Sequence, residues 1–376
     1  MCFFNGWKTA ALVIVLILLH AATGAATGAD DDNQPLVADS PAVIRAGPPT
    51  VPVFSLPTRI SFCGEELPLD RRYGREMLDR EFTITVYDRT QVVLWLKRAP
   101  RYLPFFAGEL KKAGLPDDLK YVPVIESSLI DNIHSRAGAA GLWQFIKPTA
   151  RRMGLRVTAT LDERLDPLAS TRAALRYLSD LHDEFGSWAL ALAAYNCGEK
   201  RVAKEITQQK AKDYFQLALP RESERYLYRL AAIKLIITRP EAYGFRIPAD
   251  QLYRPLPNRR VVLSPTHEYA LTDFALALGT TYHTLKKLNP HFISRRLPRG
   301  RFNLVLPAGC RQDPVLALKK LTPLPELSGP RFHLVKRGDT LGAISRHYHI
   351  PTARLRALNR IKNDRIRIGQ HLRLRE

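Results

Sequence analysis

One carboxylate, Glu126, stands in an otherwise apolar run, Tyr121-Val-Pro-Val-Ile-Glu126-Ser-Ser-Leu. On a helix, residues four apart share a face, so Val122 and Ile130 would flank it, with Ile125 and Leu129 beside them. Burial disfavours the charged form and raises a carboxyl pKa. A glutamate still protonated near neutrality is what a general acid requires. The same residue would serve equally well in an interface ion pair, and this window alone leaves both readings open. Downstream, the small residues Ala137 to Gly141 permit close backbone approach and lead into Trp143 and Gln144. An aromatic ring beside a neutral amide suits a sugar. The small-residue run also reads as a helix-packing seam, and the two readings are compatible.

Helical patterning must position these groups. Pro104 at the start and Gly114 past the end mark one helix. Leu115-Pro116-Asp117-Asp118 opens the helix that carries Glu126, with acids in the first turn where the dipole favours them, and Pro123 kinks it or delays its start. Asp166-Pro167 begins a helix that runs from Leu168 to Phe185, stops at Gly186 and has Leu175, Leu178 and Leu181 as its stripe. An alanine-rich helix from Ala189 ends in Tyr195-Asn196-Cys197-Gly198, and an apolar helix starts near Arg225. Residues 60–245 therefore read as all-helical.

The chain has 376 residues, enough for several domains, and a 45% hydrophobic fraction that supplies a core. Its 57 basic and 36 acidic residues give a net charge of +21, which points to a polyanionic partner. Lys8, an apolar run from Ala10 to Leu19 and the small residues that follow read as a secretory signal over residues 1–29. Export argues against nucleic acid and places the protein in the periplasm or cell envelope. Without the signal three cysteines remain, so at most one disulfide forms; Cys63 with Cys310 is open. No Cys-x-x-Cys pair is present, and neither a metal nor a cofactor is expected.

Proline-rich linkers are expected at 30–59, 246–260 and 309–330. Around the last two lies an internal repeat with an offset of 70 that aligns Leu271 with Leu341, Phe274 with Ile344, Leu285 with Leu355 and Leu288-Asn289 with Leu358-Asn359. Each copy, at 261–308 and 331–376, reads as strand, two short helices and strand. From Arg331 onward twelve Lys and Arg face three acids, which suits peptide-stem carboxylates, an acidic membrane surface, or simply solvent.

Glu126-Ser127, Gly141-Leu-Trp-Gln144, Ala193-Ala-Tyr195-Asn196-Cys-Gly198 and Glu222-Ser-Glu-Arg-Tyr226, in that order, resemble the soluble-lytic-transglycosylase family over roughly residues 70–245. His333-Leu-Val-Lys-Arg-Gly338-Asp339-Thr340-Leu341, with Leu358-Asn359, resembles a LysM module. The resemblance implies a mainly α fold: a helical extension at 60–114, a lysozyme-like all-helical catalytic domain at 115–245, and small α+β LysM-type modules. It implies cleavage of the β-1,4 bond between N-acetylmuramic acid and N-acetylglucosamine in peptidoglycan, by a monomer, with Glu126 as acid and then base and a 1,6-anhydro product. Ser127, Ser135, Gln144, Tyr195 and Asn196 match positions that line the site, and Glu222 and Tyr226 would support it. Tyr195 and Asn196 also read simply as a helix end before Gly198. Gly338, Asp339, Thr340, Leu341 and Asn359 match glycan-binding positions of the LysM module. The copy at 261–308 has Tyr269-Ala-Leu271 with no Gly-Asp, so glycan binding is expected of the second copy rather than the first. Two departures stand out: Asp131, where the family often has proline, and Ser223, where threonine is usual. Asp131 keeps open a hydrolytic muramidase with two carboxylates, and a non-catalytic wall-binding protein is the third alternative.

Overall fold

The computed structural model describes residues 51–325 and 332–374. The expected signal segment lies outside the described residues. Residues 51–57 carry no helix or strand and belong to a separate unit.

The second unit opens with a small antiparallel hairpin, β1 (Ser61–Phe62) and β2 (Glu65–Glu66), followed by α1 (Arg72–Tyr87) and α2 (Arg89–Ala113). A 3₁₀ turn at Asp117–Tyr121 leads into α3 (Val122–Ser127). Then come α4 (Lys147–Arg152), α5 (Pro167–Phe185), α6 (Trp188–Cys197), α7 (Glu199–Gln209) and α8 (Arg221–Thr238). The hairpin corrects the all-helical expectation for 60–245. Residues 60–114, expected as a helical extension, pack onto the helices that follow. Glu65 accepts from Ser187 Oγ at 2.9 Å and Ala189 N at 3.2 Å, which caps α6, and α1 packs along α8.

Helix α2 overrides its own punctuation. Instead of starting at Pro104, it starts at Asp88, which caps Gln91 N at 3.2 Å, and runs through both Pro100 and Pro104. Each interior proline costs about 3 kcal/mol. The buried stripe Val92, Trp95, Ala99, Tyr102, Phe106 and Leu110 continues across both, so tertiary burial sustains the helix. Gly114 closes it in the left-handed region, as expected. Helix α6 buries Ala189 through Ala194 on every side and forms the centre of the bundle.

Helix α8 is held from outside by charge. The Glu81 carboxylate of α1, 1% exposed, accepts from Arg225 Nε at 2.6 Å and Arg229 Nε at 3.1 Å, and Arg80 contacts it as well. Burial works to raise its pKa, but the two arginines on α8 more than offset this and hold it below the ordinary value.

The repeat folds as two like modules. In the first, β3 (Asn258–Leu263), β4 (Tyr269–Ala270), α9 (Leu271–Ala277), α10 (Tyr282–Leu288), β5 (Arg296–Leu297) and β6 (Phe302–Pro307) follow in order. β3 pairs antiparallel with β6, Asn258 opposite Pro307 and Leu263 opposite Phe302. The region expected to be linker beyond 309 contains α11 (Pro314–Lys319), capped by Asp313; its Ala317 and Leu318 join the core of the first module. The 246–260 linker is also shorter than expected: β3 starts at Asn258, and Tyr253 N bonds Lys97 O at 2.7 Å, which pins the segment to α2. The second module has β7 (Phe332–Leu334), α12 (Leu341–His347), α13 (Thr352–Asn359) and β8 (His371–Arg373), with a separate core. Aligned positions of the repeat do the same work: Leu271 and Leu341, Phe274 and Ile344, and Leu285 and Leu355 are all buried.

The first module is joined to the helical bundle. Leu161 of the bundle belongs to the module's core, Asp162 N bonds His291 O at 2.9 Å, Ile293 N bonds Thr160 O at 3.1 Å, and Asn303 Nδ2 donates to Asp166 Oδ2 at 2.9 Å. The cysteines Cys63, Cys197 and Cys310 are free, so the open Cys63–Cys310 pairing is not formed.

Glu81→Ala strands Arg225 and Arg229 without their carboxylate and is expected to destabilise the protein by about 3–5 kcal/mol, read from urea unfolding. Because the folded pKa of Glu81 is lowered, its contribution is present above the ordinary glutamate range. It disappears as pH falls through the folded value, so the gap between wild type and Glu81→Gln should shrink on acidification.

Candidate active site

Helix α3 is only six residues long, and its end decides what Glu126 faces. Pro123 lies in the first turn, where its missing N–H costs nothing. Ser128 (φ 54°) and Leu129 (φ 58°) then enter the left-handed region and turn the chain away. Ile130 is therefore not on the helix of Glu126, which corrects the expected apolar flank. Glu126, half-buried, meets α8, against which α3 packs.

There the Tyr226 hydroxyl donates to Glu126 Oε1 at 2.6 Å, leaving Oε2 without a protein partner among the described residues. Among the described residues Glu126 forms no ion pair, so the interface-salt-bridge alternative finds no partner there. The carboxyl is pushed up to about 7 by the balance of several influences, of which desolvation is the largest. The Tyr226 bond and the charge of Arg229 pull it down, and the nearby negative charge of Glu222 pushes it further up. Glu222 is exposed, one turn before buried Tyr226 on α8, so it acts on the site through charge rather than by packing.

The other expected site residues hold the frame. Asn196 Oδ1 accepts from Ser223 Oγ at 2.7 Å and ties the end of α6 to α8 beside Glu222. Tyr195, three residues before the cap Gly198, donates its hydroxyl to Trp143 O at 2.6 Å and ties α6 to the loop bearing Gln144. Gln144, at φ 48°, donates Nε2 to Gly141 O at 2.8 Å, and its amide oxygen has no partner among the described residues. Through these bonds Glu126, Tyr226, Asn196, Tyr195 and Gln144 belong to one framework.

Two expectations change, those for Ser127 and Trp143. Ser127 is 1% exposed and donates to Pro123 O at 2.8 Å, so it caps its own helix rather than facing a ligand. Ser135 Oγ accepts from Ala139 N at 3.0 Å and shapes the loop. Trp143 is fully buried, with Nε1 donating to Thr171 Oγ1 at 2.9 Å and its ring edge-on to Phe106; it anchors the loop and offers no face to a sugar. The small residues form no helix seam either. Ala140 bridges to His134 and Phe145, and a Cβ on Gly141 would lie 1.9 Å from Arg164 O. Sequence reasoning missed Arg164. It is 2% exposed, paired with Asp162 at 2.7 Å, and donates to Gly138 O and Phe145 O at 2.7 and 2.9 Å, locking both ends of that loop. No sequence signal marked it. Asp131 is held by Tyr102 Oη at 3.1 Å and has no bond to Glu126.

In the second module the expected glycan-binding residues mostly build the fold. Leu341 is 1% exposed, Thr340 caps α12 through Ala343 N at 3.1 Å, and Asp339 accepts from Lys336 N and His333 Nε2, each at 2.7 Å. Gly338 turns at φ 90°. Asn359 Nδ2 donates to Leu355 O and Arg373 O at 2.9 and 2.8 Å, and its Oδ1 accepts from Arg373 N. Asn289 makes the same clamp to Leu285 and Val305 in the first module. The side chains of Leu341 and Asn359 are thus committed to the module, which corrects their assignment to glycan contact.

Residues 104–218 match the family model "Transglycosylase SLT domain", and residues 333–375 match "LysM domain". Over 293 residues the chain is 33% identical to membrane-bound lytic murein transglycosylase D of Escherichia coli strain K12, covering 73% of this chain and 63% of that protein. It is 34% identical over 116 residues to peptidoglycan transglycosylase gp16 of Escherichia phage T7, covering 30% of this chain and 9% of that one. The chain thus spans less than two thirds of the length of either relative. The half-buried Glu126 and the Gln144 loop lie in the region that matches the transglycosylase SLT domain, and the C-terminal module lies in the region that matches the LysM domain.

Proposed function

We propose that the protein is a peptidoglycan lytic transglycosylase that cleaves the β-1,4 bond between N-acetylmuramic acid and N-acetylglucosamine, held on the wall by its LysM domain. The observation that carries this reading is the Glu126 carboxyl, poised near neutrality with one phenol as its partner and one oxygen open. Protonated, Glu126 gives its proton to the glycosidic oxygen as that bond breaks. The resulting carboxylate, stabilised by Tyr226, takes the proton of the muramic C6 hydroxyl, whose oxygen closes onto C1. The proton returns to Glu126, and the product is a 1,6-anhydro end. The substrate's own hydroxyl is the nucleophile, so no second carboxylate is required. Asp131, engaged by Tyr102, supports a two-carboxylate hydrolysis poorly. We place the activity in the bacterial envelope; among the described residues no helix is long and apolar enough to cross a membrane.

Mass analysis of murein digests is expected to give anhydro-muramic ends. Reducing ends alone would favour the muramidase instead. Glu126→Gln should abolish turnover while co-sedimentation with murein persists, and a variant that still releases soluble fragments would remove Glu126 from the mechanism. Activity depends on the protonated acid, so kcat/KM should decline above about pH 7. Tyr226→Phe deletes a bond that favours the carboxylate. The alkaline limb should therefore move upward by about one pH unit, because a hydrogen bond to a charged group contributes about 1.5–3 kcal/mol. A limb that stays put or moves down would contradict this role for the phenol.

A further inference from the structure

Between the helical bundle and the first module lies a cleft of about 1270 Å³. Glu126 does not line it, but the segment that follows does, through Leu129, Ile130, Asp131, Ser135 and Gly138. Besides Arg164, six cations face it from four elements: Arg98 and Arg101 of α2, Lys147 of α4, Arg260 of β3, and Lys286 and Lys287 of α10. None of the six has a carboxylate partner among the described residues. Arg98 spends one donor on Ser128 O at 3.0 Å, and Arg260 lies over the Phe105 ring at 5.6 Å. The acids in the lining are Asp131, taken by Tyr102, and Asp162, taken by Arg164.

Half-buried Lys286 is the most telling of these. An ammonium removed from water without a counter-ion is unfavourable, and desolvation lowers its pKa accordingly. A negatively charged ligand would reverse that cost. The lining also carries apolar surface from Phe105, Tyr253, Leu256, Leu288 and Ile293. A phosphate polymer has nothing to place against those side chains, and a flat lipid surface does not enter a cleft. A short peptide with carboxylates and aliphatic side chains suits both parts.

We propose that this cleft receives the carboxylate-bearing peptide stems that branch from the glycan strand, with the first module serving as one wall. This rests on peptidoglycan being the substrate. The module's fixed attachment through Leu161, His291 and Asn303 keeps its lysines opposite Arg98 and Arg101 without a hinge to close.

The test reads binding in a Glu126→Gln background, using soluble glycan strands with their peptide stems and the same strands stripped by an amidase. The parent should prefer stem-bearing strands by about tenfold, and adding Lys286→Glu and Lys287→Glu should bring the ratio to about one. If the charge reversal perturbs folding, Lys286→Gln with Lys287→Gln should still lower the ratio by about threefold or more. Any preference of the LysM domain for either strand is the same in the parent and the lysine variants, so the change in the ratio reports on the cleft alone. An unchanged ratio in correctly folded variants overturns the proposal. So does a loss of inorganic polyphosphate binding with the ratio intact, which would make a phosphate polymer the ligand. Strand cleavage by the Glu126→Gln protein would count against the catalytic reading alone.

Discussion

A half-buried carboxyl group with one phenol for company is the constraint around which the helical bundle is arranged. Desolvation of Glu126 holds its proton near neutrality, while the Tyr226 hydroxyl and Arg229 keep the ionised form accessible. That balance depends on where α8 lies, and α8 is fixed from two directions. Glu81 grips Arg225 and Arg229 from α1, and Asn196 grips Ser223 from α6. The loop carrying Gln144 is fixed in turn by Tyr195, Arg164 and the buried Trp143. Several side chains that look like ligand contacts in the sequence are therefore framework. They keep a small number of open atoms, Glu126 Oε2 and Gln144 Oε1 among them, in place.

Glu126 was legible from its apolar neighbours, but for an incomplete reason. The sequence suggests one helical face from Val122 to Ile130, whereas the left-handed Ser128 and Leu129 break that face and the half-buried carboxyl meets α8, a hundred residues away. Such a contact depends on tertiary packing, which local spacing does not encode. The same limit explains Ser127: in a helix that stops at once, its hydroxyl finds Pro123 O rather than solvent. Helix ends at Gly114, Gly186 and Gly198 were readable because a cap is a local event. Pro104 misled because a long buried stripe outweighs a local breaking signal.

The repeat was legible because its register is set by buried positions and by one asparagine. Asn289 and Asn359 each satisfy a strand carbonyl, a strand amide and a helix carbonyl, a task with little tolerance for other side chains. A match at such a position therefore reports the fold of the module and says nothing about its ligand. The attachment of the first module was not legible, since Leu161 and Phe292 are unremarkable apolar residues until they meet.

That attachment bears on where the protein ends as a folding unit. Leu161 lies on the bundle side yet is counted in the core of the first module, beside Phe292 and Phe302. A chain cut after residue 257 would keep every motif residue from Glu126 to Tyr226. It would also leave Leu161 facing solvent and Asp166 without Asn303, next to the loop that Arg164 holds. The boundary between the two sequence patterns and the boundary of the packed unit are thus different places, the second lying downstream of the first.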